Sequence, residues 1–552
     1  MNLAIGLRNL RRAREILSVL VLDYGFGYVF DHLGVSRLLP LGRRRRGARE
    51  RPDLSGPRRL RLALAELGPT FIKLAQMLST RADLLPPDIV AELRHLQDRG
   101  PAISLDEIRG VIETELGRPI EQCFSEFDPT PLASASLGQV HGAALRDGRE
   151  VTVKVLRPGL QKVIEEDLQI LADGAYLLHR QVSSLQRFNL PAFARQFAGQ
   201  LEDELNYTIE AHNSDRLRRG LSDAEMRIRI PEVVWELTTT SVLTTERLRG
   251  RRVDRLSDAA NIDRAAAARE LGRYMLRQIF VDGLFHADPH QGNVLIADDG
   301  AVILLDFGIV GYLDPRTRNL LAEAVRRAYD EDVDGLLSTM CELGTIGHGT
   351  DFSSLRSELA RAISRFVVLP RREFSIGKLL TSMVRALWLN DIRVPAELSL
   401  AAKTLLMTEA IGCELHPDFD FRDLAQPVME EARARLLAPN VLAERAVRSI
   451  ESTVRRLVRL PARIDNVLSL IEHGSLRLRT EDARADERWS RLGRGLNRLG
   501  LSLLAAALLA ASTVYLVSAE HPLHTALGVA AMVGGVSLGL VVVLAILRPG
   551  QV

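Results

Sequence analysis

The sequence predicts an α+β protein: a segment mixing strands and helices, then a largely helical one, with a helical extension ahead and a two-helix membrane anchor at the end. Three observations predict it. Pro131 to Gly250 mixes short strand patterns with helical ones. Arg251 to about Pro439 reads as helix apart from one hairpin. Leu499–Ala519 and Thr525–Leu547 are uncharged apolar runs, each meeting the ~20 residues needed to cross a bilayer.

In chain order, residues 1–55 form an amphipathic and basic segment, and "MNLAIGLRNLRRAREILSVLVLDYGFGYVF" lacks the cleavage site of a signal peptide. It reads as a helix suited to a membrane surface. "GRRRRGARERPDLSGP" is a basic linker, either a solvated charge run or a patch for anionic lipid. Residues 56–130 are a helical extension, 131–250 and 251–439 the two main segments, and 440–498 an Arg-rich helical linker. Residues 499–547 hold the apolar hairpin, turned at "EHPLH". Arg491, Arg494 and Arg498 precede it and Arg548 follows it. Basic flanks on both sides put both ends in the cytoplasm, and Gly528, Gly534, Gly535 and Gly539 would let the helices pack closely.

Composition excludes several classes. A net charge of +2 with no aromatic-basic interleaving gives no reason to invoke nucleic acid. Cys123, Cys341 and Cys413 form neither a disulfide framework nor a zinc pattern. Lysine is scarce: Lys73, Lys154, Lys162, Lys378 and Lys403 stand against dozens of arginines. A lysine retained on that background can mark a need for a compact ammonium.

The chemistry concentrates in "GLFHADPHQGNVLIADDGAVILLDFG", Gly283 to Gly308. "NVLIA" and "AVILLDF" read as strands joined by a turn at Asp298, Asp299 and Gly300. Such a hairpin folds Asp288, Asn293 and Asp306 onto one spot, with Asp306 buried at the end of the returning strand. Phosphoryl transfer needs oxygen ligands for Mg²⁺, a lysine on the phosphates and a carboxylate near the attacking group. Asp288 and Asn293 have the spacing of a kinase catalytic loop, and Asp306-Phe307-Gly308 has its metal-binding motif. Upstream, "REVTVKVLRPG" alternates like a strand and carries Lys154 where kinases place their nucleotide lysine. Its helical carboxylate partner is one of Glu202, Asp203, Glu204 and Glu210, among which pattern does not choose. A kinase's glycine-rich loop is replaced by "PLASASLGQVH", with Ala133, Ser134, Ala135 and Ser136 where backbone would approach phosphate. Methyl groups restrict that approach, so serine hydroxyls would donate to phosphate instead.

These residues together resemble the UbiB family, the AarF-domain protein-kinase-like ATPases of isoprenoid-quinone biology, over about Gly56 to Pro439. "GPTFIKLAQMLSTRADLLP" resembles the family's KxGQ signature and "PLASASLGQVH" its Ala-rich loop. "VTVKVLRPG" and "FHADPHQGN…LLDFG" resemble its nucleotide and catalytic motifs. The resemblance implies an atypical protein-kinase-like two-lobe fold binding ATP or ADP with Mg²⁺. It implies Asp288 as the catalytic Asp, Asn293 and Asp306 as metal ligands, and Lys154 on the phosphates paired with Glu210. Glu246 and Leu248 would line the adenine-side hinge through backbone contacts. Lys73 and Gln76 would face one side of a helix over the site, Lys73 pairing with Glu204 in a regulatory role. His286 would pack and orient the loop. Four positions depart from the pattern: Ala75 for Gly, Asn206 for the second acid of ExD, Ser134 within the Ala-rich loop, and Gln291 for Pro. Ala75 implies looser packing of the helix over the site.

The resemblance implies an ATPase or kinase acting on water or a small acceptor, in the cytoplasmic membrane of a bacterium with its body in the cytoplasm. Its partners would be isoprenoid quinone precursors or other membrane lipids, the anionic membrane surface and quinone-biosynthesis enzymes. Two alternatives stand beside it. One is a small-molecule phosphotransferase of the aminoglycoside type, disfavoured by the extension and the Ala-rich loop. The other is a nucleotide-gated lipid-binding scaffold with negligible turnover, since fold does not settle function.

Overall fold

A computed structural model describes residues 7–25, 54–79, 85–96 without 94, 102–182, 189–221, 226–256, 262–437 without 348 and 369–374, and 532–537 without 535. The chain divides into one unit of Met1–Leu442 and another of Ala443–Val552. The linker 440–498 and nearly all of both apolar runs lie outside the described residues, as does most of the basic linker. Among the described residues no helix is long and apolar enough to cross a membrane.

The first unit opens with α1 (Leu7–Ser18), followed by α2 (Gly56–Leu67), α3 (Pro69–Ser79) and α4 (Pro87–Leu93). The end of the amphipathic start packs on protein: Ile16, Val19 and Tyr24 are buried with Ala63, Leu64 and Leu67 of α2 and Phe71 of α3 in one cluster. A polar clamp fixes the same junction. Asp167, on α7 (Leu160–Gln181), accepts from Arg12 Nε at 2.8 Å and from Thr70 Oγ1 at 2.7 Å. Arg12 also donates to the Leu67 carbonyl at 2.6 Å. The Asp167 side chain is 1% exposed, and a carboxylate so buried needs its partners.

The first lobe is a four-stranded antiparallel sheet in the order β1-β2-β3-β5: β1 (Phe124–Ser134), β2 (Gly138–Leu145), β3 (Glu150–Leu156) and β5 (Val242–Glu246). β1 starts ahead of the boundary at residue 131 drawn from the sequence. It is an edge strand, exposed along most of its length and shifted in register, so no alternation of apolar residues announces it. In β3, Val151, Val153 and Val155 pack under Ile108 and Ile112 of α5 (Leu105–Leu116). The period of two turns Thr152 and Lys154 to the opposite face. That face is approached by α7, α8 (Leu190–Glu204) and α9 (Tyr207–Arg219), whose buried residues Ile164, Leu201, Tyr207 and Ala211 share a cluster with Leu156. The short helix Ile120–Cys123, α6, leads into β1.

The second lobe is built around α10 (Arg264–Arg277), buried along Ala267, Ala268, Leu271, Met275 and Leu276. Around it lie α11 (Pro315–Tyr329), α12 (Val333–Leu343), α13 (Phe352–Val368), α14 (Ile376–Leu389), α15 (Ala396–Leu415) and α16 (Phe421–Leu437). Its sheet runs β4-β9-β8-β6, from β4 (Ile228–Arg229), β9 (Val302–Leu304), β8 (Val294–Ile296) and β6 (Arg251–Arg252). β4 lies in the segment assigned to the first lobe yet pairs in parallel with β9. Two residues are too short to show a period, so only tertiary pairing reveals this strand.

Removing the clamp leaves Asp167 buried without its cation. Arg12→Ala is expected to cost roughly 3 kcal/mol, the scale of a broken buried pair. Amide exchange should quicken in α1 and α3 while the β2–β3 ladder stays protected. Unchanged exchange in α3 would show that the clamp does not hold it.

Candidate active site

Lys154 sits on β3, between Val140 of β2 and Leu243 of β5. Its ammonium lies 2.8 Å from Glu210 Oε2 and 3.9 Å from Asp306 Oδ2, and 5.0 Å from the centre of the Tyr207 ring. Of the four acids the sequence left open, Glu210 is the partner. Asn206 caps α9 by accepting from Thr208 N at 3.1 Å, which places Glu210 in the first turn, where a carboxylate is favoured by the helix dipole. Burial pulls the Lys154 ammonium down, but Asp306 and Glu210 outweigh it and hold it well above the ordinary lysine range. Burial pushes the Glu210 carboxyl up against the pull of Lys154.

Two nested hairpins bring the remaining residues together. The inner one is β8–β9, turning where the sequence reading placed it, with Gly300 at φ +83°. The outer one pairs β7 (Leu284–His286) with β10 (Val310–Tyr312), matching His286 to Val310. Asp288 follows β7 and Asp306 precedes β10, so this ladder closes the loop between them. Asp306 is not buried at a strand end as expected. β9 stops at Leu304, and Asp306 stands beyond it at φ +58° with its side chain 48% exposed. Asp is among the few side chains that tolerate this region, and its Oδ1 accepts from Gly308 N at 3.2 Å. Lys154 holds its carboxyl at a pKa of about 2, against some desolvation, so it is ionised at neutral pH. His286 is fully buried, and burial lowers its pKa to about 4. It is a neutral packing group against Phe307, with ring centres 5.2 Å apart.

The Asp288–Asn293 turn is internally locked. His290 N and Asn293 Nδ2 donate to the Asp288 carbonyl at 2.8 and 3.4 Å, and Asn293 N donates to the His290 carbonyl at 2.8 Å. Asn293 is buried beside Leu305, whose N–H donates to its carbonyl at 2.9 Å. The Asp288 carboxylate accepts from Lys403 Nζ of α15 at 2.9 Å. Gln291, the residue standing for Pro, bonds Glu414 of the same helix, a tether proline would not supply.

In the Ala-rich turn, Ala133 and Ser134 end β1, and Ala135 N donates to the Gly138 carbonyl at 2.8 Å. Arg157 pins it from the end of β3, donating to the Ala135 carbonyl at 2.8 Å and to Ser134 Oγ at 3.3 Å. Ser136 is buried, which leaves little of its hydroxyl for a ligand. A Cβ on Gly138 would lie 2.4 Å from the Val155 carbonyl oxygen and 2.5 Å from the Tyr207 hydroxyl, so only glycine fits there. Of the residues expected at the hinge, Glu246 ends β5 with its N–H on the Glu232 carbonyl at 2.8 Å. Leu248 packs against Ala297, Ala301 and Ile303 at the tip of the inner hairpin.

Lys73 on α3 pairs with Glu204 at the end of α8 at 2.7 Å, with side chains 16% and 12% exposed. Lys73 lowers the Asp306 pKa and Glu204 raises that of Glu210, both as lesser contributions. Gln76 lies one turn beyond Lys73, half-buried. Ala75 is fully buried in the core of the extension. Asn206 keeps a structural role as the helix cap, which needs an oxygen but no charge.

Sequence reasoning missed Asn213, Arg157 and Lys403. Asn213 lies one turn after Glu210 and donates to the Phe307 carbonyl at 3.1 Å; helical spacing from Glu210 was the available signal. The rarity of lysine was the signal for Lys403. Among the described residues no three His, Cys, Asp or Glu side chains form a metal site by themselves. Asn293 and the ionised Asp306 fit the pattern of Mg²⁺, which takes one or two protein oxygens and completes its shell with phosphates and water.

The ABC1 atypical kinase-like domain matches residues 95–340 and the UbiB helical domain matches residues 359–420. A probable protein kinase UbiB of Marinobacter nauticus is 33% identical over 456 residues, 80% of this chain and 83% of that protein. One from Xylella fastidiosa is 37% identical over 401 residues, 71% of this chain and 72% of that protein. The solved complex of Rv3197 with erythromycin from Mycobacterium tuberculosis covers 66% of this chain and 93% of that one, at 26% identity and a TM-score of 0.44. With a kinase-like domain model over its catalytic motifs and relatives a third identical along most of their length, the chain belongs to the UbiB family of atypical kinases.

Proposed function

We propose that this protein is a membrane-anchored, Mg²⁺-dependent atypical kinase or ATPase that binds ATP and ADP. Its role is to support ubiquinone biosynthesis by ATP-dependent handling of hydrophobic quinone precursors, at the cytoplasmic membrane of a bacterium. The observation that carries the nucleotide assignment is the cluster of Lys154, Glu210 and Asp306, with the Asp288–Asn293 turn tied to the segment just before Asp306 by Leu305 N on the Asn293 carbonyl. Membrane placement is supported by the two apolar runs and their basic flanks, and suits lipids that leave the bilayer only at high cost.

The chemistry follows from the residues. Lys154 binds phosphate oxygens as a point charge, kept in place by Glu210. Asn293 and Asp306 are the groups to hold Mg²⁺, which neutralises phosphate charge when bound. Asp288 accepts the proton of water or a small hydroxyl acceptor as that oxygen bonds to the γ-phosphorus. The bond to the bridging oxygen breaks and its electron pair leaves with ADP. In the family reading α3, tied by the Lys73–Glu204 pair, would cover the place where a protein substrate docks. That arrangement favours water or a small acceptor over phosphorylation of proteins in trans.

ATP turnover by the full-length protein in anionic liposomes tests the reading. Asp288→Asn is expected to lose 10²- to 10⁴-fold, the usual range for a general base, and Asp306→Asn a comparable amount. Equal background rates in wild type and both variants would contradict it and favour a nucleotide-gated scaffold. For the cover, Lys73→Glu and Glu204→Lys should each lower the melting temperature, and the double exchange should recover most of the loss. Additive losses would show that the pair does not couple the two helices.

A further inference from the structure

Of the 72 lysine and arginine residues only five are lysines, and three of those five end on carboxylates of the site: Lys73 on Glu204, Lys154 on Glu210 and Lys403 on Asp288. The first two have been assigned. Lys403 comes from α15, 115 residues beyond Asp288 in the chain.

Its position is fixed. The neighbouring Thr404, fully buried, donates to the Ala287 carbonyl at 3.3 Å, and Glu414 farther along the helix holds Gln291. One helix therefore grips the catalytic turn at residues 287, 288 and 291. The ammonium is carried rigidly with the carboxylate that would take the acceptor's proton. An ammonium has three N–H donors, and the pair with Asp288 occupies one. The side chain is about a third exposed, so it is not sealed from a ligand. An arginine here would tend to engage the carboxylate through its planar fork; a lysine can be shared with a second anion. The acceptor oxygen must stand beside Asp288 as it meets the γ-phosphorus, so a cation on Asp288 stands where negative charge gathers during transfer.

We propose that Lys403 is a phosphoryl-binding residue that contacts the γ-phosphoryl oxygens of a nucleoside triphosphate while paired with Asp288, and so favours the triphosphate over the diphosphate. This rests on the nucleotide reading of the site. It names a residue of the helical domain as part of the catalytic turn and gives the site a way to tell ATP from ADP. No proton is exchanged by Lys403; the acceptor's proton still goes to Asp288.

The test measures binding, with turnover left aside. Affinities of the full-length protein for ADP and for the non-hydrolysable analogue AMP-PNP, each with Mg²⁺, are measured by displacement of a fluorescent nucleotide. Lys403→Met should weaken AMP-PNP about tenfold or more while ADP stays within about twofold, the size expected for one charge-assisted contact. Lys403→Arg, which keeps the charge, should recover part of the preference and remains informative if the Met variant folds poorly. If Lys403→Met lowers the melting temperature yet leaves the ratio of affinities at its wild-type value, Lys403 only pins Asp288 and the proposal is overturned. If the wild type binds neither nucleotide, the nucleotide reading falls and Lys403 falls with it.

Discussion

The pair between Lys154 and Glu210 is the interaction on which the site depends. It joins the central strand of the first lobe to the first turn of α9 at 2.8 Å, in surroundings where an unpaired charge would be costly. Three residues after Glu210, Asn213 carries the same helix to the carbonyl of Phe307. A single helix thus sets both the nucleotide lysine and the segment bearing Asp306. The Asn206 cap and the bond from Tyr207 N to the Thr240 carbonyl at 2.9 Å fix where that helix begins. Displacing α9 would loosen all of these contacts together.

The second lobe meets this helix with a scaffold of short strands, of which β9 is buried throughout. None of β7, β8, β9 and β10 exceeds three residues, and strands so short are stable only because α10 and its neighbours bury them. Nesting one hairpin inside another turns a chain separation of 18 residues between Asp288 and Asp306 into proximity around the His286 side chain, whose pKa registers both carboxylates. The positive φ of Asp306 is a local cost, located where the carboxylate leaves the strand direction and turns toward Lys154.

Much of this was legible in the sequence, and the exceptions share a cause. β3 showed itself because Val151, Val153 and Val155 alternate with polar residues, and the inner hairpin because "DDG" punctuates two apolar runs. Lys154, Asp288, Asn293 and Asp306 were marked by residue type and order. What stayed hidden depends on contacts distant in the chain. β4 has two residues and no period, β7–β10 pairs two short apolar stretches, and Lys403 reaches Asp288 across 115 residues of chain. The exposure of Asp306 was missed because an apolar run implies a buried strand but does not say where the strand stops. Pattern alone did not choose Glu210 over Glu204; the resemblance implied the choice, and the geometry gives each acid its own lysine.

Mg²⁺ has only Asn293 and Asp306 as proposed protein ligands, so the metal and the nucleotide must complete one another's site. Electron paramagnetic resonance of Mn²⁺ with the full-length protein tests this directly. The account predicts that Mn²⁺ is immobilised only when ADP or ATP is present, and that Asp306→Asn abolishes the effect. Tight Mn²⁺ binding without nucleotide, or binding with nucleotide that survives Asp306→Asn, would contradict it.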